Sequence, residues 1–410
     1  MKRQCGRNKI KLWDEPGVSD ECEALVEVVG AIADVPATDW DACANPQDDN
    51  HNPFISHAFL NALEEAETVH PRTGWQPQHL LLKSGAGQVE GCLPLYAKSH
   101  SKGEYVFDYG WADAFERAGG QYYPKLVAAV PFSPVPGPRL LLRPGPNQVE
   151  REKYLVAGAV ELVRRHDISS LHVNFLPEQE WSRLAGLGFL QRTDQQFHWQ
   201  NDGYATFDDF LAGLASRKRK AIRKERAQAL SSGLKIEWIS GSDITEAHWD
   251  AVYMFYMETG SRKWGRPYLN RTFFSLLGAT MSERCLLIMV SRDGEYVAGA
   301  LNLIGGDCLY GRYWGAIEHH PCLHFEVCYY QAIDYAITHG LARIEAGAQG
   351  EHKLARGYMP KPTYSSHFIP NPSFRRAIDA YLEDERAYVE RSREMLAEYG
   401  PYRKTANEAQ

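Results

Sequence analysis

The strongest constraint on this chain is that its two halves echo one another. LLLKSGAGQVEGCLPLYAKSHSKGEYVFDYGWADAF, from Leu80, and LLIMVSRDGEYVAGALNLIGGDCLYGRYWGAIEH, from Leu286, both read as a hairpin followed by a third strand. In each, a glycine-containing turn joins two apolar strands and Gly91 matches Gly299. The third strand then closes in aromatic-rich YVFDYGWA or LYGRYWGA. The matches continue in order: Tyr122-Tyr123 with Tyr329-Tyr330, HDISSLHVNF from His166 with HGLARIEAGA from His339, Gly188-Phe189 with Gly357-Tyr358, and His198 with His367. An ordered series of this extent predicts one unit used twice.

Each unit is expected to run strand, helices, antiparallel hairpin, third strand, a helix such as Phe325 to His339, a strand such as Leu341 to Ile344, and a final strand. That is an α/β (α+β) fold with mixed, mostly antiparallel sheets flanked by helices. His166 stands 43 positions after Tyr123 in the first copy, where His339 stands 9 after Tyr330 in the second. The surplus of the first copy includes the Pro-rich AAVPFSPVPGPRLLLRPGP. The predicted organisation is an N-terminal extension over 1–22, a first domain over 23–203, a second over 204–371 that opens with a basic helix at 216–230, and a long helix with a tail over 372–410. A chain of 410 residues exceeds one ordinary core, which agrees with two domains.

Net charge is -7, so the chain is not coated for nonspecific nucleic-acid binding. The basic start MKRQCGRNKIKLW runs into DEPGVSDECEA rather than an apolar segment, and no window of 18 apolar residues occurs. The expectation is a cytoplasmic protein with no membrane span and eight reduced cysteines. His319, His320, Cys322 and His324 crowd together without the separated-pair spacing of a structural zinc site, so no metal is expected.

Directly after the predicted strand ending at Ile344 comes EAGAQGEHKLARGYMP, Glu345 to Pro360, with two carboxylates, a His, a Lys and an Arg. Such polar density cannot be buried unpaired, since each orphaned group costs about 1–3 kcal/mol. It therefore faces a cleft or satisfies itself. The first copy has NFLPEQEWSRLAGLGF here and lacks the His-Lys pair and the Arg before Gly, so the charged set points to a function of the second unit.

NPFISHAFLNALE, GWQPQHLLL, FDYGWADAF, YYPKLVAAVPFSPVPGPRLL, YGRYWGAIEHHPCLHFEVCYYQAI and the EAGAQGEHKLARGYMP run together resemble the FemAB-like branch of the GNAT acyltransferase superfamily, a peptidoglycan biosynthesis or recognition family. The resemblance covers nearly the whole chain from about Asn52. It implies two tandem GNAT-like domains and transfer of an aminoacyl group from aminoacyl-tRNA to an amine of a peptidoglycan precursor or small molecule. The wider superfamily implies acyl-coenzyme A as donor instead. Either donor is a cosubstrate, and no further cofactor is implied. The Gly-rich turn that holds a coenzyme pyrophosphate is not evident, because no glycine lies between Gly315 and Gly340 and Pro321 removes a donor. This weighs towards tRNA.

Aminolysis needs a neutral amine, a stabilised oxyanion and a protonated leaving group. Glu345, Glu351 and His352 are candidate bases, and Tyr313 and Tyr358 candidate acids. Lys353, Arg356, Arg312, Trp314, Gln349 and His324 are candidate substrate-binding residues, with backbone N–H groups beside Trp314 and Gly315 as an oxyanion site. In the first unit Asp108, Tyr109, Trp111 and Arg139 are candidates for the acceptor. The helix SRKRKAIRKERAQAL offers Arg217, Lys218, Arg219, Arg223 and Lys224 to phosphate or tRNA, or is a solvated face. SRKWGRPYL, from Ser261, is a candidate cleft lip. His324 and Cys328 lack an orienting third group and are not read as a nucleophile pair. The long final helix is expected to turn Phe374, Ile378, Tyr381, Tyr388, Met395 and Leu396 inward, for packing or dimerisation. Oligomeric state, acyl group and acceptor stay open. A noncatalytic binding module is the alternative, and a nucleic-acid regulator would rest on the basic helix alone.

Overall fold

The computed structural model describes residues 9–11, 25–231, 233–263, 267–347 and 350–403. The chain divides into two compact units, each assembled from separate stretches. Unit 1 takes Met1–Asp48, Phe54–Asp194 and Thr363–Tyr388; unit 2 takes Asp49–Pro53, Gln195–Pro362 and Val389–Gln410.

In unit 1, β1 (Lys9–Lys11), β2 (Leu25–Val29) and the helices α1 (Ala37–Ala44) and α2 (His57–Glu65) come first. Ser56 caps α2 by accepting the Phe59 N–H, the usual service of a serine at that position. β3 (Trp75–Pro77), β4 (His79–Lys83), β5 (Val89–Leu93) and β6 (Leu95–Lys98) follow, then α3 (Tyr109–Arg117), β7 (Lys125–Ala128), β8 (Leu141–Leu142), α4 (Gln148–Arg165), β9 (Leu171–Leu176), α5 (Glu178–Gly186) and the start of β10 (Leu190–Gln200). One sheet has the order β1-β2-β4-β5-β8, and β9-β7-β6-β3 forms a second run. β7 pairs antiparallel with β6 and parallel with β9. Leu80, Leu82, Leu93, Leu95, Leu155 and Val173 belong to the core between these strands and α4.

Unit 2 contains α6 (Phe207–Gly213), α7 (Ser216–Leu230), β11 (Lys235–Ser240), α8 (Glu246–Lys263) and α9 (Arg271–Met281). The run β11-β12-β13-β14-β15 then uses β12 (Cys285–Arg292), β13 (Glu295–Ile304), β14 (Cys308–Ala316) and β15 (Arg343–Glu345). Asp293 and Gly294 both have positive φ, 54° and 91°, as the tight β12–β13 hairpin requires. Between β14 and β15 lie α10 (Leu323–Phe325), a π-helical turn Glu326–Tyr330 and α11 (Gln331–Thr338). A 3₁₀ turn, Glu351–Arg356, leads to β16 (Met359–Phe368), and α12 (Pro372–Glu398) ends the fold.

The repeat holds where it rests on caps and final strands. His166 and His339 both cap a helix that precedes a sheet strand, β9 or β15. Gly188 and Gly357 both take the left-handed conformation, at φ 85° and 93°, before β10 and β16. The last strand of each copy pairs outside its own copy: β10 with β15, setting His198 opposite Glu345, and β16 with β9, setting His367 opposite His172.

Three expectations are corrected. YVFDYGWA is not a strand: Tyr105 has φ 60°, and from Tyr109 the chain is helical, with Trp111 and Ala112 facing inward. β7 is the true counterpart of β14, because both pair antiparallel with the preceding strand and parallel with the strand that follows the next helix, β9 or β15. Tyr122-Tyr123 therefore precedes that strand, whereas Tyr329-Tyr330 follows it. On α12 the buried side chains are Phe374, Ile378 and Leu382, while Tyr381, Tyr388 and Met395 are exposed. A spacing of four residues keeps Phe374, Ile378 and Leu382 on one stripe.

Candidate active site

β14 and β15 run parallel for three pairs only, Cys308↔Arg343, Leu309↔Ile344 and Tyr310↔Glu345. β14 then continues to Ala316 with β13 on one edge and no β15 partner on the other. At the parting, the register with β13 shifts between Leu301 and Asn302, so Arg312 is the extra residue of a bulge, a device that re-aims a side chain beside functional sites. Gly315 is obligatory for packing, since a Cβ there would stand 2.0 Å from the Phe255 carbonyl oxygen of α8. The Ile317 N–H donates to Val297 O. Antiparallel alternation then turns the Gly315 N–H towards β13 and leaves the Trp314 N–H on the open side.

Glu345, at the tip of β15, is buried. Burial pushes its carboxyl above the usual range, and Arg312 and Arg343 restrain the rise. One oxygen lies 3.5 Å from Arg343 Nε, while Oε2 has no hydrogen-bond partner among the described residues. Burial also lowers the Arg312 guanidinium, against the pull of Glu345. His198, across the sheet from Glu345, is held at about 3 by burial and by Arg343, Lys353, Arg312 and Lys361, so its imidazole is neutral. Sequence reading used it only as a repeat marker.

The loop after Glu345 is closed by Lys353, whose Nζ donates to Ala346 O at 2.5 Å and Gly347 O at 2.9 Å. Burial, with Arg312 adding to it, lowers this ammonium from 10.5 to about 7. His352 is exposed and sits 2.8 Å from the Tyr329 hydroxyl on the π-helical turn. Arg356 stacks 3.4 Å over Phe325 and donates to both oxygens of Glu225 on α7, at 2.9 and 3.0 Å. His324 lies between Trp314 and His352, with ring centres 5.5 and 6.0 Å away. Glu345, Arg312, Lys353, His352, Arg356, Trp314 and His324 are thus gathered around the parted strands.

Others are not. Tyr358 is wholly buried in the core, and burial raises its phenol. Tyr313 packs edge-on against Tyr256 of α8, with ring centres 5.1 Å apart, on the α8–α9 side. Gln349, the Glu351 side chain and most of the SRKWGRPYL segment fall outside the described residues.

Unit 1 holds a second charged centre that the sequence did not announce. Lys125 Nζ donates to Ser101 and Glu104, each at 2.8 Å, and to Asp108, all of them buried. Lys98 lies 3.5 Å over the Trp75 ring and 3.9 Å from Glu104. Asp108 also accepts the Tyr122 hydroxyl at 2.7 Å, Ser170 meets His172 Nε2 at 2.8 Å, and His172 Nδ1 meets His367 Nδ1 at 2.6 Å. Burial keeps both imidazoles well below 6.5, so one ring donates and the other accepts. Asp108 therefore serves this network. Trp111 borders a groove of about 800 Å³ together with Phe107, Phe115, Phe374, Ile378 and Tyr381. Tyr109 is exposed and stacks on Phe107. Arg139 is fully buried and donates to the carbonyls of Val135, Gly137 and Pro138 within the Pro-rich insertion.

A FemAB-like family model, described as peptidoglycan biosynthesis/recognition, matches residues 31–404. The chain belongs to the FemAB-like family. Among solved structures, FemX resembles this FemAB-like chain over 84% of it and 98% of its own length, at 14% identity and TM-score 0.53. The C-terminal domain of a putative lysylphosphatidylglycerol synthetase from Agrobacterium fabrum covers 84% and 96%, at 10% identity and TM-score 0.52. A tandem GNAT protein from the clavulanic acid biosynthesis pathway covers 85% and 99%, at 14% identity and TM-score 0.44. A search of curated protein sequences returned no match. The FemAB-like fold here is an α/β architecture with mixed sheets and flanking helices.

The basic helix α7 of this FemAB-like protein has two faces. Arg226 donates to buried Glu326 and to Asp334 and lies 4.2 Å over Phe207. Arg217, Arg223 and Lys224 are exposed, while Lys218 and Arg219 are half-buried. The start of α10 is already furnished: the Leu323 N–H bonds back to His320 O at 3.3 Å, and His320 Nε2 lies 2.8 Å from Glu318. Among the described residues, no helix is long and apolar enough to cross a membrane, and no group of three His, Cys, Asp or Glu could hold a metal ion.

Proposed function

We propose that this FemAB-like protein is an N-acyltransferase, forming an amide by passing an aminoacyl group from aminoacyl-tRNA to the amine of a peptidoglycan-precursor-like or small-molecule acceptor. The observation that carries the choice of donor is the helix start after β14. A coenzyme pyrophosphate needs free N–H groups and a positive field there. Here Leu323 N–H bonds back to its own turn, Glu318 stands just before it, and buried Glu326 follows one turn later. The open cations lie instead on α7, along a helix suited to an extended phosphate backbone.

In this reading the amine attacks the ester carbonyl of the aminoacyl group. Glu345 takes the ammonium proton, since burial raises its carboxyl above the usual range, towards a stronger base, and its Oε2 has no hydrogen-bond partner among the described residues. Arg312 and the Trp314 N–H stabilise the oxyanion. The tetrahedral intermediate collapses by breaking the bond to the ribose oxygen, which leaves as the tRNA hydroxyl after protonation, and His352 at the rim is the group to exchange that proton. Lys353 and Arg356 hold the donor's anionic end.

Calorimetric titration with coenzyme A and acetyl-coenzyme A is expected to show no micromolar binding, while charged tRNA passes its labelled amino acid to an amine acceptor at a rate that falls steeply with salt. Micromolar coenzyme binding that disappears in Lys353→Ala and Arg356→Ala would overturn the donor assignment.

A further inference from the structure

Unit 1 buries two thiols against each other. Alternation along β4 puts Leu80 and Leu82 into the core shared with α4 and turns His79 and Leu81 to the opposite face of the sheet. Cys92 of β5 stands directly across from Leu81 and shares that face. The covering helix is α1. Its Trp40 meets His79 edge-on with ring centres 5.7 Å apart, and Cys43, three residues on and so on the same side of the helix, donates its S–H to Val89 O of β5 at 3.9 Å. Cys43 is 3% exposed and Cys92 0%. The Cys92 S–H bonds in turn to the Cys43 sulfur. Arg143 closes the same corner, donating to Val89 O at 2.8 Å and meeting Asp39 of α1 at 3.3 Å.

We infer that Cys43 and Cys92 are a reversible redox site, closing to a disulfide that ties α1 to β5 when the protein meets hydrogen peroxide. The two sulfurs have different parts in it. The Cys92 hydrogen bond and the Arg143 guanidinium hold the Cys43 thiol below its ordinary value against burial, whereas burial pushes Cys92 up. Burial also pushes up the thiols of Cys285 and Cys308 in unit 2, so among the described buried cysteines Cys43 is the one drawn towards the thiolate, the form that reacts. Its thiolate attacks one peroxide oxygen, the O–O bond breaks, and Cys43 becomes a sulfenic acid while the departing hydroxide takes up a proton as water. The Cys92 sulfur then gives up its proton, attacks the Cys43 sulfur and expels the sulfenic oxygen as a second water. Two equivalents of a small thiol return the pair to its reduced form. The bridge also closes the long stretch of chain that carries α2 and β4, so it restricts the unfolded state.

The test treats the folded full-length protein with hydrogen peroxide, blocks the remaining thiols with iodoacetamide in denaturant, and maps peptides by mass after a protease that cuts at Asp and Glu, which separates Cys22 from Cys43. The Cys43 and Cys92 peptides are expected joined in most chains and parted again by dithiothreitol, with a urea midpoint that rises on oxidation and returns on reduction. In Cys92→Ser the second step has no thiol, so dimedone added with the denaturant is expected to label Cys43. Cys43→Ser is expected to leave Cys92 unlabelled. The wild-type map stands whether or not either variant folds. Wild type whose two thiols both still take iodoacetamide after peroxide, or whose peptides join only once urea has unfolded the chain, overturns the assignment.

Discussion

Two strand pairs at equivalent places in the repeat have been put to opposite uses. In unit 1, β9 and β16 set His172 against His367, and the surrounding charges are densely paired: Lys125 with Glu104 and Asp108, Asp108 with Tyr122, one imidazole with the other, although among the described residues Glu104 Oε1, Asp108 Oδ1 and His367 Nε2 have no hydrogen-bond partner. In unit 2, β15 and β10 set Glu345 against His198, and the pairing is sparser, with Arg356 on Glu225 and Arg343 3.5 Å from Glu345. Among the described residues, Glu345 keeps an unpartnered oxygen, and Lys353 has only carbonyls to donate to. The splay of unit 1 is also filled by its own chain, since the Gly137 N–H of the Pro-rich insertion bonds Phe175 O just past the last β7–β9 pair. A closed network holds a fold together. An open one holds its groups ready for something absent.

The sharpest way to break this contrast is at Asp108. Asp108→Ala strands part of the positive charge of Lys125 in a dry interior, and removing one partner of a buried pair costs about 3–5 kcal/mol. Urea denaturation is expected to show that loss, while turnover of the folded fraction is unchanged. A variant of normal stability and abolished turnover would show that unit 1 is chemical too. Glu345→Gln is expected to behave in the reverse sense, with turnover falling roughly 10²–10³-fold, KM little changed and the urea midpoint preserved. Unaltered turnover would remove Glu345 as the base.

The sequence disclosed the open site better than the closed one. EAGAQGEHKLARGY stands out because its polar residues are contiguous, and the lack of that charged set in the first copy pointed to unit 2. Lys98, Glu104, Asp108 and Lys125 lie 4 to 27 residues apart on a strand end, a loop, a helix cap and another strand, so no local pattern joins them. Register brings Lys98 opposite Lys125, and only Glu104 and Asp108 make that tolerable. The hairpins were legible through their glycines and the final strands through Gly188 and Gly357. The exchange of those strands between β9 and β15 was not, because either sheet edge accepts the same alternation. The tyrosines of α12 misled for a simpler reason: hydrophobic spacing cannot say which of two stripes is buried.

A pH titration of stability addresses both units at once. Burial lowers Lys98 to about 7 in spite of Glu104, and burial with Arg312 lowers Lys353 to about 7. Unfolded, both return to about 10.4. Between these values the unfolded chain binds more protons than the folded one, so the two lysines make stability rise as pH climbs from about 7 to about 10. Below pH 7 both states carry the charge and the contribution is flat. Lys98→Met and Lys353→Met should each remove part of the rise, on the order of a few kcal/mol. A rise that survives both substitutions unchanged would mean that neither ammonium is held down.

The smallest expected effect tests the same division on one helix. Arg226 on α7 is closed, bonded to a Glu326 carboxylate that is 0% exposed, so Arg226→Gln leaves a buried charge with less to hold it and should cost several times more than a surface change. Arg223, three residues earlier, meets exposed Asp208 at 3.1 Å, and exposed pairs contribute about 0–1 kcal/mol. Arg223→Gln should leave the urea midpoint within error while reducing the salt dependence of transfer from charged tRNA, by about one in the slope of log rate against log salt for each phosphate that is no longer neutralised. If Arg223→Gln destabilises the fold and leaves the salt slope intact, the open face of α7 is structural, and the contrast between closed and open charge does not extend to this helix.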